Sequence, residues 1–205
     1  GTRADYAKMV ERVDVGVGQI LAELDRQGIA ERTLVVFSSD NGGERLSDNR
    51  PLFNHKATLW EGGIRVPCLM RWPARLPAGR TLSQAAITMD LTATFLAAAG
   101  ARPPADYRPD GIDLLPILTG AAPERERTFF WRIDRSNRKQ WAVRHGRWKY
   151  VNDGNTMDLL YDLAADIGER RSLTYVHPEI VRDLKGRLKA WEEEMDASPR
   201  DFIVR

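Results

Sequence analysis

Between Ala4 and Gly28, apolar side chains fall at Tyr6, Met9, Val10, Val13, Val17, Ile20, Leu21 and Leu24. Steps of three and four line one face of an α-helix. Gly28 stands where such a helix ends in a left-handed residue, while Gly16 and Gly18 weaken the pattern from within. Thr33 to Phe37 is then a continuous apolar, β-branched run without alternation, which predicts a strand covered on both faces. The chain turns polar at once in Ser38-Ser39-Asp40-Asn41-Gly42-Gly43, turn chemistry at the carboxyl end of a strand, where open α/β sheets place their ligands. Val66 to Met70 predicts a second short strand that opens at Pro67. Met89 to Ala99 predicts a helix capped by Thr88 or Asp90, with Leu91, Phe95 and Leu96 turned inward and Gly100 as its stop. The Pro- and Gly-rich stretch from Arg102 to Pro123, around a short apolar piece at Leu114 to Leu118, predicts a connection between subdomains.

Beyond this connection the period changes. Thr128 to Ile133, Trp141 to Arg144, Arg147 to Val151 and Leu159 to Leu163 predict short strands, with His145-Gly146 as a hairpin turn. A final helix opened by Pro178 carries Ile180, Val181, Leu184, Leu188, Trp191 and Met195 on one face. The fold class is α/β in the first part, residues 1–122, and a small α+β domain with an antiparallel sheet and one packing helix in the second, 123–205.

Composition adds exclusions. The chain is 42% hydrophobic and 29% charged, which is ordinary globular usage and rules out a disordered or collagen-like chain. Lys and Arg number 31 against 29 Asp and Glu, so no global field recruits nucleic acid or an anionic membrane, and anion chemistry must be local. No apolar run approaches the roughly 18 residues of a membrane span. Cys68 is the only cysteine, which excludes an intramolecular disulfide framework and a Cys-rich zinc site.

Two segments concentrate the candidate chemistry. Asp40 and Asn41 put a carboxylate and an amide carbonyl side by side, two hard oxygen donors of the kind Ca²⁺ and Mg²⁺ prefer; the same residues also suit an ordinary turn in which Asp40 bonds its own backbone. Fourteen residues after Asn41, His55-Lys56-Ala57-Thr58-Leu59-Trp60-Glu61-Gly62-Gly63-Ile64-Arg65-Val66-Pro67 offers a compact cation, Lys56, and a glycine pair that permits close backbone approach. On residue type alone Lys56 reads first as a solvated lysine and Glu61 with Arg65 as an exposed ion pair. A third segment mixes Arg132, Arg135, Arg138, Lys139, Arg144, Arg147 and Lys149 with Trp131, Trp141, Trp148 and Tyr150, a mixture that a polyanion-binding module would use and that the wet face of a sheet also shows.

Strand, then Ser-Asp-Asn-Gly, then Lys-x4-Glu-Gly-Gly-x-Arg-x-Pro resembles the type I sulfatases of the alkaline phosphatase superfamily. Asp110-Gly111-Ile112-Asp113-Leu114-Leu115-Pro116, Arg147-Trp148-Lys149-Tyr150 and Leu160-Tyr161-Asp162-Leu163 extend the likeness over nearly the whole chain. The resemblance implies a sulfuric ester hydrolase in which Asp40 and Asn41 ligate a divalent metal, Ca²⁺ or Mg²⁺ in its place. It implies further that Lys56 contacts the sulfate and steadies the leaving oxygen, while Glu61, Gly62, Gly63 and Arg65 are assigned to shaping the loop. His55 is a candidate substrate contact, though on its general habits it reads first as a solvated or backbone-bonded histidine. The family's nucleophile is a formylglycine made from the Cys of Cys-x-Pro-x-Arg. Cys68, in Pro67-Cys68-Leu69-Met70-Arg71, does not match it. The expectation is therefore the C-terminal portion of a sulfatase, 1–122 from the α/β catalytic domain and 123–205 a separate small domain. The missing N-terminal part would be its partner, a sulfate ester its substrate, and self-association would follow from uncovered apolar surface, with nucleic acid not expected. A phosphonate or phosphodiester hydrolase of the same superfamily shares these motifs.

Overall fold

A computed structural model describes residues 1–154 and 156–197. In chain order it contains α1 (Arg3–Arg26), β1 (Val35–Ser38), α2 (Glu61–Ile64), β2 (Cys68–Arg71), α3 (Met89–Ala98), α4 (Leu115–Thr119), β3 (Thr128–Arg135), β4 (Arg138–His145), β5 (Trp148–Asp153), β6 (Met157–Asp162) and α5 (Pro178–Ala197). Two compact units share these elements, and neither is one continuous stretch: Gly1–Asp40 groups with Val66–Glu126, and Asn41–Arg65 groups with the residues from Arg127 on.

In the first unit, α1 starts in a capping box, the Asp5 N–H donating to Thr2 Oγ1 and the Thr2 N–H to the Asp5 carboxylate. It ends as its sequence predicts at Gly28, whose φ of 65° is open to glycine at little cost. None of its residues is buried, and Met9 and Ile20 keep 66% and 60% of their surface exposed. β1 pairs antiparallel with β2, from Val35 opposite Arg71 to Ser38 opposite Cys68. The expectation that β1 is covered on both faces is not met: the pair forms a two-stranded ribbon, and Phe37 and Leu69 are exposed. α3 departs from its reading in two ways. Thr88 makes no side-chain cap, and Phe95 points out to solvent. The inward positions go instead to small and polar residues that hold the following segment. Asp90, fully buried, accepts the N–H groups of Ile87 and Ile112, and Thr94 Oγ1 accepts that of Leu114. A buried carboxylate is tolerable when backbone donors satisfy it. Gly111 lies so close that a Cβ there would meet the Met89 carbonyl.

The second unit is built on one antiparallel sheet, β3-β4-β5-β6. The β4–β5 loop is Gly146-Arg147, one residue later than the sequence predicts, because His145 still pairs with Trp148 and the positive φ of 56° falls on Gly146. Side chains alternate between two faces. Ala142, Val151 and Tyr161 look one way and pack on Leu59 and Trp60. Val143, Tyr150 and Leu160 look the other way, against Val181, Leu184 and Leu188 of α5. Each fully buried Leu or Val contributes about 1.5–3 kcal/mol.

Two outcomes follow for the isolated chain. The bare apolar stripe of α1 should drive association at high concentration; sedimentation velocity should show a concentration-dependent species that Val13→Glu with Ile20→Glu removes. Burial, then the hydrogen bond from its hydroxyl to Asp158 at 2.5 Å, push Tyr150 well above the usual phenol range. An acid whose folded value is raised stabilises the fold below its unfolded value, about 10, and loses that contribution as pH rises past it. Denaturant midpoints should therefore fall between about pH 10 and 12, and Tyr150→Phe should flatten the fall.

Candidate functional site

Residues 41–65 form the layer over one face of the second unit's sheet, and their own backbone closes them into a compact loop. The Gly42 N–H donates to Gly63 O at 2.9 Å, that of Lys56 to Gly43 O at 3.0 Å and that of Gly62 to Phe53 O at 2.8 Å. Glycine is demanded here by close approach: a Cβ on Gly42 would meet Gly62 O, and one on Gly63 would meet Thr58 O. Asn49 Nδ2 bridges Gly43 O and Asn54 O at 3.1 Å each. Two non-glycine residues flank the His55-Lys56 pair in the left-handed region, Asn54 with φ 68° and Ala57 with φ 65°. For Ala57 this is a strained conformation, of the sort that survives only where surrounding contacts over-determine it. Those contacts are present: Arg138 Nη1 donates to Ala57 O at 2.5 Å, and Thr58 Oγ1 to His55 O at 2.7 Å.

The loop is tied to the sheet by charge. Lys149 of β5 is fully buried, and its ammonium meets Glu61 Oε1 at 2.9 Å and Glu169 Oε1 at 2.8 Å. Glu61 also receives Arg65 Nε at 2.6 Å, and its own backbone N–H donates to Glu169 Oε2 at 2.6 Å. Burial by itself would raise both carboxyls. For Glu61 the two cations outweigh burial, and its value lies below the usual range; for Glu169, which shares only the lysine, burial wins and the value is raised. The two therefore act oppositely with pH: the Glu61 contribution is lost as pH falls through its lowered value, and Glu169 favours the fold on the acid side. A neutral tie completes the dock, the Leu59 N–H donating to Gln140 Oε1 at 3.0 Å.

The residues singled out in the sequence distribute as follows. Asp40, exposed, is the last residue of the first unit, and Asn41, half-buried, is the first of the second. The Asp40 carboxylate accepts no hydrogen bond from the turn among the described residues, so the self-bonded turn is not what forms. Asn41 and Lys56 belong to one loop, joined through the Lys56–Gly43 bond, and Lys56 is exposed. His55 Nδ1 lies 3.0 Å from Lys56 O, and since a carbonyl only accepts, Nδ1 carries a proton in this contact and leaves Nε2 for other partners. The exposed ion pair expected of Glu61 and Arg65 is corrected: the Glu61 side chain keeps 3% of its surface exposed and forms the centre of the buried network. As donors, Asp40 and Asn41 are hard oxygens that suit Ca²⁺ or Mg²⁺, two of the six or more such an ion takes. Among the described residues no three His, Cys, Asp or Glu side chains cluster around a common point.

Lys149 and Glu169 are the residues that sequence reasoning missed as part of this region. Lys149 was visible as one cation in a basic, aromatic stretch and as part of the Arg147-Trp148-Lys149-Tyr150 motif, neither of which points to its buried partners. That stretch is largely committed internally: Arg132 to Asp196 and Glu192, Lys139 to Asp134, Arg147 to Asp162, and Lys149 to the two glutamates. Removing one partner of a buried pair costs about 3–5 kcal/mol. Lys149→Met should lower stability by about that much in urea unfolding, and Lys149→Met with Glu169→Gln should be less damaging than Lys149→Met alone, because it removes the orphaned carboxylate as well. A double variant worse than the single one would sink this account of the network.

Comparison with known proteins places the chain. The sequence profile of the Sulfatase family matches residues 1–101, which include Asp40, Asn41, His55 and Lys56. Steryl-sulfatase of Mus musculus is 35% identical over 243 residues, covering 98% of this chain and 39% of that protein. N-acetylgalactosamine-6-sulfatase of Canis lupus familiaris is 41% identical over 138 residues, 64% of this chain and 26% of its own length. The crystal structure of Ps i-CgsB superposes with a TM-score of 0.87 at 30% identity, covering 93% of this chain and 43% of its own. The chain thus spans less than half the length of the proteins it matches. It belongs to the type I sulfatase family.

Proposed function

We propose that these 205 residues supply the metal turn and the sulfate-contacting loop of an enzyme that hydrolyses sulfate esters. The observation that carries the reading is the presentation of Lys56: an exposed cation held on a strained loop whose backbone is bonded to the Asn41–Gly43 turn. A sulfate monoester is an anion, and negative charge grows on its leaving oxygen as the S–O bond breaks. A cation fixed beforehand at that oxygen lowers the barrier without reorganising during reaction. Lys56 binds the sulfate oxygens and steadies the leaving oxygen in this scheme. His55, its protonated Nδ1 turned to Lys56 O, offers Nε2 to substrate. Asp40 and Asn41 would hold a divalent cation, Ca²⁺ foremost, which when bound supplies Lewis-acid polarisation of the sulfate group. The attacking nucleophile, a formylglycine, would come from sequence outside these 205 residues, since Cys68 does not stand in its motif.

The reading is tested in the enzyme that carries this segment. Asp40→Ala and Lys56→Ala should each lower kcat/KM for an aryl sulfate by about 10²–10³, with urea midpoints unchanged; full activity in both variants would remove the site assignment. The 205-residue chain alone should show no turnover. Turnover that disappears in Asp40→Ala would place the nucleophile inside it. A phosphonate monoester run beside the aryl sulfate identifies which ester the site prefers.

A further inference from the structure

On the face of the sheet turned away from residues 41–65, α5 and the β5–β6 end of the sheet border a groove of about 1230 Å³. Small-molecule sites run about 300–1,000 Å³, so this space takes an extended ligand rather than a single small one. Three features of the groove bear on what it could hold. Gly186 lies inside α5 and lines it, and among the described residues no atom stands within 4 Å of the position its Cβ would take. Glycine inside a helix is less favourable than alanine, and among the described residues no close contact requires it here. Its effect is to leave that wall of the groove flat, with the helix backbone uncovered. Tyr175, at the rim, is 98% exposed, an aromatic ring left uncovered among the described residues. Between them the Asp158 carboxylate gathers Tyr150 Oη at 2.5 Å, Asn152 Nδ2 at 2.9 Å and Lys185 Nζ at 2.5 Å, so the polar floor is fixed before any ligand arrives.

The chemistry of the lining selects the occupant. Charges balance, Lys185 and Lys189 against Asp158 and Glu192, which gives a nucleic acid or a densely sulfated chain no net attraction. The remaining polar groups are hydroxyls and an amide, on Ser172, Thr174, Thr156 and Asn152. An exposed aromatic ring beside hydroxyl and amide groups suits a molecule with an apolar C–H face and a rim of hydroxyls. We propose that this groove binds a saccharide chain, neutral or sparsely charged. The groove lies across the sheet from Lys56, so it cannot hold the reacting ester; it anchors a distant stretch of a polymer. The inference stands on the groove alone, and joined to the sulfatase reading it places a neutral stretch of a polymeric substrate away from the reacting ester.

Titration of the chain with neutral hexasaccharides of glucose, galactose and N-acetylglucosamine, followed by calorimetry and by amide NMR, tests it. At least one should bind one-to-one with shifts at Tyr175 and Gly186. Tyr175→Ala should weaken it about tenfold or more. Gly186→Leu should abolish binding while raising the thermal midpoint, a combination that damage to the fold does not produce. No binding at millimolar sugar, unchanged binding by Gly186→Leu, or binding confined to heparin or single-stranded DNA would each overturn the proposal. None of these outcomes depends on sulfatase turnover, so loss of the activity reading leaves this one intact, and the reverse.

Discussion

One buried ammonium organises the second unit. Lys149 has no water to solvate it, and a charge in that position is tolerable only while Glu61 and Glu169 are both in place. Because Glu61 belongs to the loop and Glu169 to the chain after β6, the lysine joins two segments 108 residues apart as well as the strand that carries it. The Glu61 backbone N–H, donated to the Glu169 carboxylate, adds a bond that no substitution of the Glu61 side chain removes. The loop therefore cannot drift from the sheet piecemeal, since separating any one partner leaves the others charged and dry.

That constraint is what makes strain affordable next to it. Ala57 holds a left-handed φ because Arg138 from β4 grips its carbonyl while the glycines behind it admit backbone to backbone. The result is a lysine, Lys56, exposed at its tip and fixed at its root. A flexible surface lysine would have to be ordered by its substrate at an entropic cost; this one has its backbone ordered in advance. The sheet divides its labour by parity. Alternate residues of β4, β5 and β6 serve the loop on one face and α5 on the other. The groove proposed as a saccharide site thus shares a sheet with the Lys56 loop without sharing a surface.

Much of this was readable in the sequence because it is local. The 3.6-residue period located α1 and α5, and alternation with aromatic and β-branched residues located all four strands of the sheet. Glycine marked the end of α1, since a positive φ there depends on the residue itself. The family motifs picked out Asp40, Asn41 and Lys56 as a set although they span two segments. Reading failed where a residue's role depends on what lies opposite it. Phe37 and Phe95 look like core and are exposed, because apolar character says nothing about whether a covering layer is there. Asp90 looks like a cap and is a buried clamp.

The sequence by itself determined which residues are helical or extended, and which side chains are chemically able to hold a metal or an anion, because both follow from the residue and its near neighbours. Only the tertiary structure decided that residues 41–65, inserted between β1 and β2, group with the C-terminal sheet. It also decided that Lys149, one cation in a run of seven, is the buried centre of the network. A charge shows its partners only in space: Lys149 lies 88 residues from Glu61 along the chain and 2.9 Å from it in the fold.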